Sequence, residues 1–332
     1  MRNLFVDHLM QKTKQGETDR CVLLTGDLGF SVLEPLREAW GPRFINAGVA
    51  EALMTSMAAG IADQGYRVFT YSITPFATFR CLEQIRNDVC YHKLDVSIVG
   101  IGAGFGYGAL GATHHATDDL AVMWTLPNLN VFCPADLNEA WAVYEYAWSI
   151  QGPKYYRLGK GKEGKIDSSI KIDLKDSLCV EYRKGSQVTL ISSGNILAEV
   201  IKAADLLSNE RISVQVISCP ILKPFPSKNL FEKISSRRVL VVEEHVPYGG
   251  FSNKLASEAL KNGFAKNWDF QTMSCPDVFA SEVGSMDHQR KTAGIDASAI
   301  AQAIRNNLNE QSATQTERIR DPRLPINKEG RF

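Results

Sequence analysis

Two hydrophobic rhythms alternate along the chain. Leu4, Phe5, Leu9 and Met10 fall at helical spacing over 3–15, which predicts an amphipathic first helix. The run CVLLTGD (21–27) is apolar and ends in a Gly-Asp turn, so it reads as a strand, followed by a helix around 31–39 and a short Phe-Ile-Asn strand. Ala52, Leu53, Met57, Ala58, Ala59 and Ile61 cover most faces of the next helix, which is therefore expected to be buried. A strand at 67–71, a long helix from about 76 to 92, an apolar strand at 95–104, a strand at 129–134 and a helix at 136–150 continue the alternation. A polar, lysine-rich stretch at 159–177 interrupts it. Strands at 187–194, 212–218, 238–245 and 269–274, with helices at 195–208 and 296–308, then resume it. Such alternation predicts an α/β chain of two domains, each a mostly parallel sheet flanked by helices. The expected divisions are a first domain at 1–165, a linker at 166–180, a second domain at 181–310 and a tail at 311–332, where the apolar period stops.

Charge excludes several classes of partner. The chain has 332 residues, with 37 basic residues against 37 acidic ones and a formal net charge of zero. That balance carries no electrostatic footprint for nucleic acid or an anionic membrane surface. No apolar run reaches membrane-spanning length, and the first residues, with charges inside their apolar stretch, do not read as a signal peptide. Seven cysteines stand singly, without a Cys-x-x-Cys pair, which fits a reducing, cytoplasmic setting and argues against a zinc site.

Against that background a few residues stand out. Glu51 opens the buried helix after the small apolar run Ala47-Gly48-Val49-Ala50. A first-turn carboxylate gains from the helix dipole, and on this ground alone Glu51 reads as a simple capping acid. Desolvation favours the protonated form of a carboxyl, which suits a group that exchanges a proton near neutral pH. Gly102, Gly104, Gly106 and Gly108 follow a strand, but a dinucleotide fingerprint needs a helix opening directly after the glycines, and the sequence runs on into LGATHHATDD. These glycines are read instead as letting backbone pass close to a ligand. Phe76 and Phe79 are three apart, a spacing common in cores. Asp27 and Ser31 sit in TGDLGFS, where Ser31 reads as a helix cap. Arg157 and Lys160 are basic residues at a predicted strand end, where a solvated loop is the plain alternative.

The string FINAGVAEALMTSMAAGIA (44–62) resembles the segment of transketolases and deoxyxylulose phosphate synthases that carries the cofactor-activating glutamate. The resemblance spans about residues 1–305, and Glu51 falls on that glutamate. It implies thiamine diphosphate as cofactor, with the Glu51 carboxyl on the aminopyrimidine ring and Phe76, or else Phe79, stacked on that ring. Asp27 and Gly104 fall near the cofactor, and Ser31 on a phosphate contact. His114 matches the histidine of the family's Gly-x-Thr-His motif, which faces the reacting carbon and holds donor oxygen. His115 stands where glutamine is usual. One of Arg157 and Lys160 would hold a substrate phosphate, and His245 matches a structural feature of the last domain.

Departures from the pattern are informative. Leu110 stands where those enzymes generally carry an aspartate, and Gly102 where transketolases carry a second histidine. The Gly-Asp-Gly…Asn motif that holds the cofactor's divalent metal, Mg²⁺ or Ca²⁺, has no counterpart, since Gly26-Asp27 is followed by Leu28. The resemblance thus implies a beta-type subunit of a split transketolase. A separate N-terminal-type subunit would supply the metal and pyrophosphate site in an α2β2 assembly. The expected reaction is transfer of a two-carbon ketol unit from a ketose-type donor to an aldose. Two alternatives stay open: a subunit of a 2-oxoacid-decarboxylating enzyme, and a non-catalytic scaffold.

Overall fold

The computed structural model describes residues 1–161 and 163–320, with 310–320 as helical backbone. Six parallel strands form the first sheet: β1 (Cys21–Thr25), β2 (Phe44–Asn46), β3 (Arg67–Ile73), β4 (Val96–Ile101), β5 (Asn130–Phe132) and β6 (Lys154–Leu158). The second sheet contains β7 (Val180–Arg183), β8 (Val188–Ser192), β9 (Val214–Ser218), β11 (Arg238–Val242) and β12 (Asp269–Met273), with only β7 antiparallel. The strand β10 (Ile221–Lys223) leaves this second unit and pairs antiparallel with β5, so the first sheet runs β10-β5-β6-β4-β3-β1-β2 and the second β12-β11-β8-β9-β7. The α/β architecture predicted from the alternating periods is therefore the observed one.

Strands β1 and β4 are buried at every position, which is why they read as unbroken apolar runs. Successive side chains point to opposite faces: Val22 and Leu24 join one apolar layer, Cys21 and Leu23 the other. The first layer also includes Ile191, Ile217 and Val241 of the second sheet, so one core runs across the junction between the two units. Each fully buried aliphatic side chain there contributes about 1.5–3 kcal/mol.

Three expectations change. The long helix at 76–92 is broken into a helical turn at Thr74–Thr78, a 3₁₀ turn at Phe79–Cys81 and a π-helical turn at Ile85–Cys90. Within it the Thr78 hydroxyl donates to the Thr74 carbonyl and the Cys81 thiol to the Ala77 carbonyl, competing with the backbone ladder. The strand expected at 95–104 stops at Ile101, because Gly102 and Gly104 both adopt positive φ. The closing helix, expected over 296–308, extends as Ala297–Arg320 and covers the first ten residues of the stretch read as tail; 321–332 lie outside the described residues. All seven cysteines are free and buried, and among the described residues no helix is long and apolar enough to cross a membrane.

Candidate active site

Residues just beyond the carboxyl ends of five parallel strands meet at one edge of the first sheet. β1 delivers Gly26 and Asp27, β2 leads to Glu51, β3 to Phe76 and Arg80, β4 to the loop carrying His114, and β6 to Lys160. Glu51 is the first residue of the Glu51–Asp63 helix and is 1 % exposed. The Ser72 hydroxyl donates to its Oε1 at 3.2 Å, and Arg80 Nη1 donates to its Oε2 at 2.7 Å. Gly26 lies alongside, where even a methyl group would sit 3.4 Å from the Glu51 carboxylate.

From Glu51 a continuous strip of contacts crosses the site. The Arg80 guanidinium lies over the Phe76 ring at 4.5 Å, and Phe76 meets His114 edge to face at 5.2 Å. His114 lies 6.3 Å from the Tyr107 ring, on which Lys160 Nζ rests at 4.3 Å. Thr113 Oγ1 pairs with His114 Nδ1 at 2.9 Å, which leaves Nε2 for an incoming molecule. Lys160 and Leu110 line one cavity of about 750 Å³, together with Arg2, Tyr107 and Ser285. Glu51, Phe76, His114 and Lys160, singled out separately in the sequence, are thus brought together.

Several other candidates are placed elsewhere. Phe79 turns away from Phe76, because the helix break falls between them, and lines a separate cavity of about 390 Å³ with Phe105, His115 and Phe279. His115 is buried against Phe105, its Nε2 3.3 Å from the Gly108 carbonyl, and burial pushes its pKa down. It does not face the strip beside His114. Arg157 is 2 % exposed and its guanidinium is held inside the protein: Nε bonds Asp119 at 3.0 Å, and Nη2 bonds the Ala116 and Glu244 carbonyls at 2.5 and 3.1 Å. Burial opposes its charge most strongly, but Asp119, Cys133, Tyr155 and Glu244 together outweigh burial, and its pKa is raised. It ties elements together where a phosphate contact had been expected. Asp27 is exposed at the β1 end and exchanges hydrogen bonds with Asn46, whose Nδ2 donates to it at 2.9 Å. Ser31 caps no helix through its side chain; its N–H donates to the Glu34 carboxylate at 2.8 Å. Gly104 lies under the Glu244 carboxylate. His245 is fully buried, with Nδ1 2.8 Å from the Val246 carbonyl, consistent with a structural role. No α-helix opens after the glycines of 102–108; two 3₁₀ turns follow and the next α-helix is Asp119–Thr125, so the dinucleotide fingerprint is not met.

Two residues of the strip were missed in the sequence. Arg80 follows Phe76 by four positions, the helical spacing that stacks side chains, and that spacing was the available signal. Ser72 gave none, being one polar residue in a buried strand.

Residues 8–163 match the sequence model of the transketolase pyrimidine-binding domain, and residues 179–300 that of the transketolase C-terminal domain. The chain belongs to the transketolase family. It is 30 % identical over 301 residues to an apulose-4-phosphate transketolase subunit from Actinobacillus succinogenes, covering 90 % of this chain and 96 % of that one. It is 30 % identical over 306 residues to the 6-deoxy-6-sulfo-D-fructose transketolase subunit of a Clostridium species, covering 91 % and 92 %. A solved split-gene transketolase, described as an inactive beta4 tetramer, superposes with a TM-score of 0.80 at 30 % identity, covering 93 % of this chain and 97 % of that one.

Family membership implies thiamine diphosphate, and the strip fits the pyrimidine part of that cofactor. It offers one buried carboxylate, one flat apolar ring and a histidine at the ring's edge. Arg80, whose side chain is 45 % exposed, has room to yield the face of Phe76. Among the described residues no three His, Cys, Asp or Glu side chains converge on a possible metal position.

Proposed function

We propose that this chain is the beta-type subunit of a split thiamine-diphosphate-dependent transketolase and transfers a two-carbon ketol unit from a ketose-type donor to an aldose. The observation that carries the reading is the buried Glu51 carboxylate at the head of the strip, next to Phe76 and His114. A separate polypeptide with the pyrophosphate and metal site completes the enzyme, in an α2β2 arrangement with Mg²⁺ or Ca²⁺ on the partner. The bound cofactor supplies an electron sink for cleavage of a carbon–carbon bond. With the cofactor bound, Glu51 Oε2 would exchange a proton with the aminopyrimidine, Phe76 would hold that ring by its flat face, and His114 Nε2 would hold and protonate donor oxygen. Asp27 and Ser31, exposed at the rim, stand where the assembled site would close over them.

Donor recognition falls to the cavity shared by Leu110 and Lys160. Leu110 is 52 % exposed and offers an apolar wall where an acid would bind hydroxyls, so the donor either carries fewer hydroxyls at that point or has them held by other contacts. Lys160 takes the distal phosphate or a similar anion. Lys160→Ala is expected to raise KM for a phosphorylated donor about tenfold, equivalent to ~1.4 kcal/mol, with kcat nearly unchanged. A fall in kcat with KM constant would remove Lys160 from this role.

The test begins with a tagged pull-down and mass spectrometry of what co-purifies. A stoichiometric partner with a Gly-Asp-Gly…Asn motif is expected, and the pair should convert xylulose 5-phosphate and ribose 5-phosphate into a seven-carbon ketose. Leu110 also favours a second reading, a 2-oxoacid-decarboxylating subunit. Release of carbon dioxide from pyruvate without ketose transfer would establish that reading in place of the first. A chain that comes down alone and binds no thiamine diphosphate with magnesium overturns both, leaving a scaffold.

A further inference from the structure

The second domain contributes none of the side chains of the strip, yet it grips the loop that carries His114 through one buried carboxylate. We propose that Glu244 is a positioning residue, which carries the anchorage of Arg290 across the domain junction onto the Phe105 N–H and so sets the place of Tyr107 and His114. The proposal rests on the reading of His114 as a site residue given above.

The contacts are directional. Glu244 Oε1 accepts the Phe105 N–H at 2.8 Å, while Oε2 takes Arg290 Nη2 at 2.6 Å and Nε at 3.3 Å. Both side chains are 2 % exposed. Gly104 makes the approach possible: it has φ +56°, and a Cβ there would lie 2.5 Å from the Glu244 carboxyl carbon. The same glycine exchanges two backbone hydrogen bonds with Ala116, at 3.0 and 2.9 Å, which closes the base of the loop. Arg157 then bonds the Ala116 and Glu244 carbonyls together. A second anchor lies close by, where the Gly284 N–H donates to the Gly108 carbonyl at 3.3 Å, just before the Met286–Thr292 helix that carries Arg290. Tyr107 lies between the two anchors, and Leu110 and His114 follow on the same loop.

A buried ion pair is a poor way to gain stability, because desolvating two charges offsets most of their attraction. What it adds over apolar packing is a fixed direction, and site geometry must be held to about 0.5 Å. Apolar contacts already join the domains through the shared core, so the junction does not depend on Glu244 for cohesion.

The test compares Glu244→Ala, Glu244→Gln and Arg290→Lys in the full chain and in the assembled enzyme. Hydrogen exchange on the full chain reads the loop directly. Amides of 103–116 are expected to exchange about tenfold faster in Glu244→Ala, with the β8, β9 and β11 core unchanged. Glu244→Gln, which keeps an acceptor for Phe105, is expected to restore most of that protection. In the assembled enzyme kcat with xylulose 5-phosphate falls about tenfold while KM and thiamine diphosphate affinity stay within about twofold. Protection lost evenly across the chain, or cofactor affinity falling in step with kcat, would show ordinary destabilisation and overturn the proposal. Unchanged exchange at 103–116 would also overturn it. Should Glu244→Ala not fold, Glu244→Gln against Arg290→Lys decides: loosening of the loop in Arg290→Lys supports the relay, and its absence in both overturns it. If the wild-type complex transfers no ketol unit from any ketose phosphate tested, the proposed function falls, while the exchange experiment still decides whether Glu244 holds the loop.

Discussion

Glu51→Gln in the assembled enzyme lowers ketose formation by about 10²–10⁴-fold, the range for loss of a positioned proton-transfer group. Glutamine keeps the length of the side chain and can still accept from the Ser72 hydroxyl, but it exchanges no proton and forms no ion pair with Arg80. Stability behaves differently. The carboxylate is 1 % exposed, and its cationic partner is 45 % exposed at the side chain, so its removal strands no buried charge. Glu51→Ala is therefore expected to melt at the same temperature as the wild type or above it, as when a functional polar group has been held against desolvation. Activity above a few per cent in either variant, measured in saturating cofactor, would sink the assignment of Glu51. A large fall in melting temperature would mean instead that Glu51 serves the fold.

Arg157→Met produces the opposite pair of results. Asp119, fully buried, accepts from Arg157 Nε and from the Tyr155 hydroxyl at 2.5 Å, so loss of the guanidinium leaves an uncompensated buried carboxylate. Breaking a buried pair from one side costs about 3–5 kcal/mol. At about 2–4 °C for each kcal/mol in larger domains, the melting temperature falls by on the order of 10 °C. The double variant Arg157→Met with Asp119→Leu recovers much of that loss, because removing both partners leaves no unpaired charge. Calorimetry of the three variants, with KM for a phosphorylated donor, separates the roles. An unchanged melting temperature with a raised KM would return Arg157 to the substrate phosphate, the role that the family resemblance first offered it.

Arg157 and Lys160 show where sequence reasoning reaches its limit. They lie three residues apart, and resemblance offered both for one task. Arg157 lies within β6, inside the sheet, and meets Asp119 there; Lys160 lies two residues past the strand end and meets the cavity. His114 and His115 part in the same way, one toward Phe76 and the other toward Phe105. Phe76 and Phe79 would share a face on a regular helix, but the α-helical turn ends at Thr78 and a 3₁₀ turn begins at Phe79, which separates them. In each case the neighbouring residues were legible, and a turn of the backbone by one position decided which of them entered the site.

The sequence by itself determined the alternation of strand and helix, hence the two sheets, and it put Glu51, Phe76, His114 and Lys160 at strand ends where a parallel sheet collects ligands. These are local properties, set by a period of two or 3.6 residues and by the turn that follows. Tertiary structure alone decided the pairing of Arg80 with Glu51, the crossing of Ile221–Lys223 into the first sheet, and the hold of Glu244 on the His114 loop, 139 residues away along the chain. A three-residue strand has no period to read, and an ion pair between distant residues leaves no mark in either segment. Each depends on the path of the chain, which brings Arg80 to Glu51 within the first unit and Glu244 to Phe105 across the two, each pair within 3 Å.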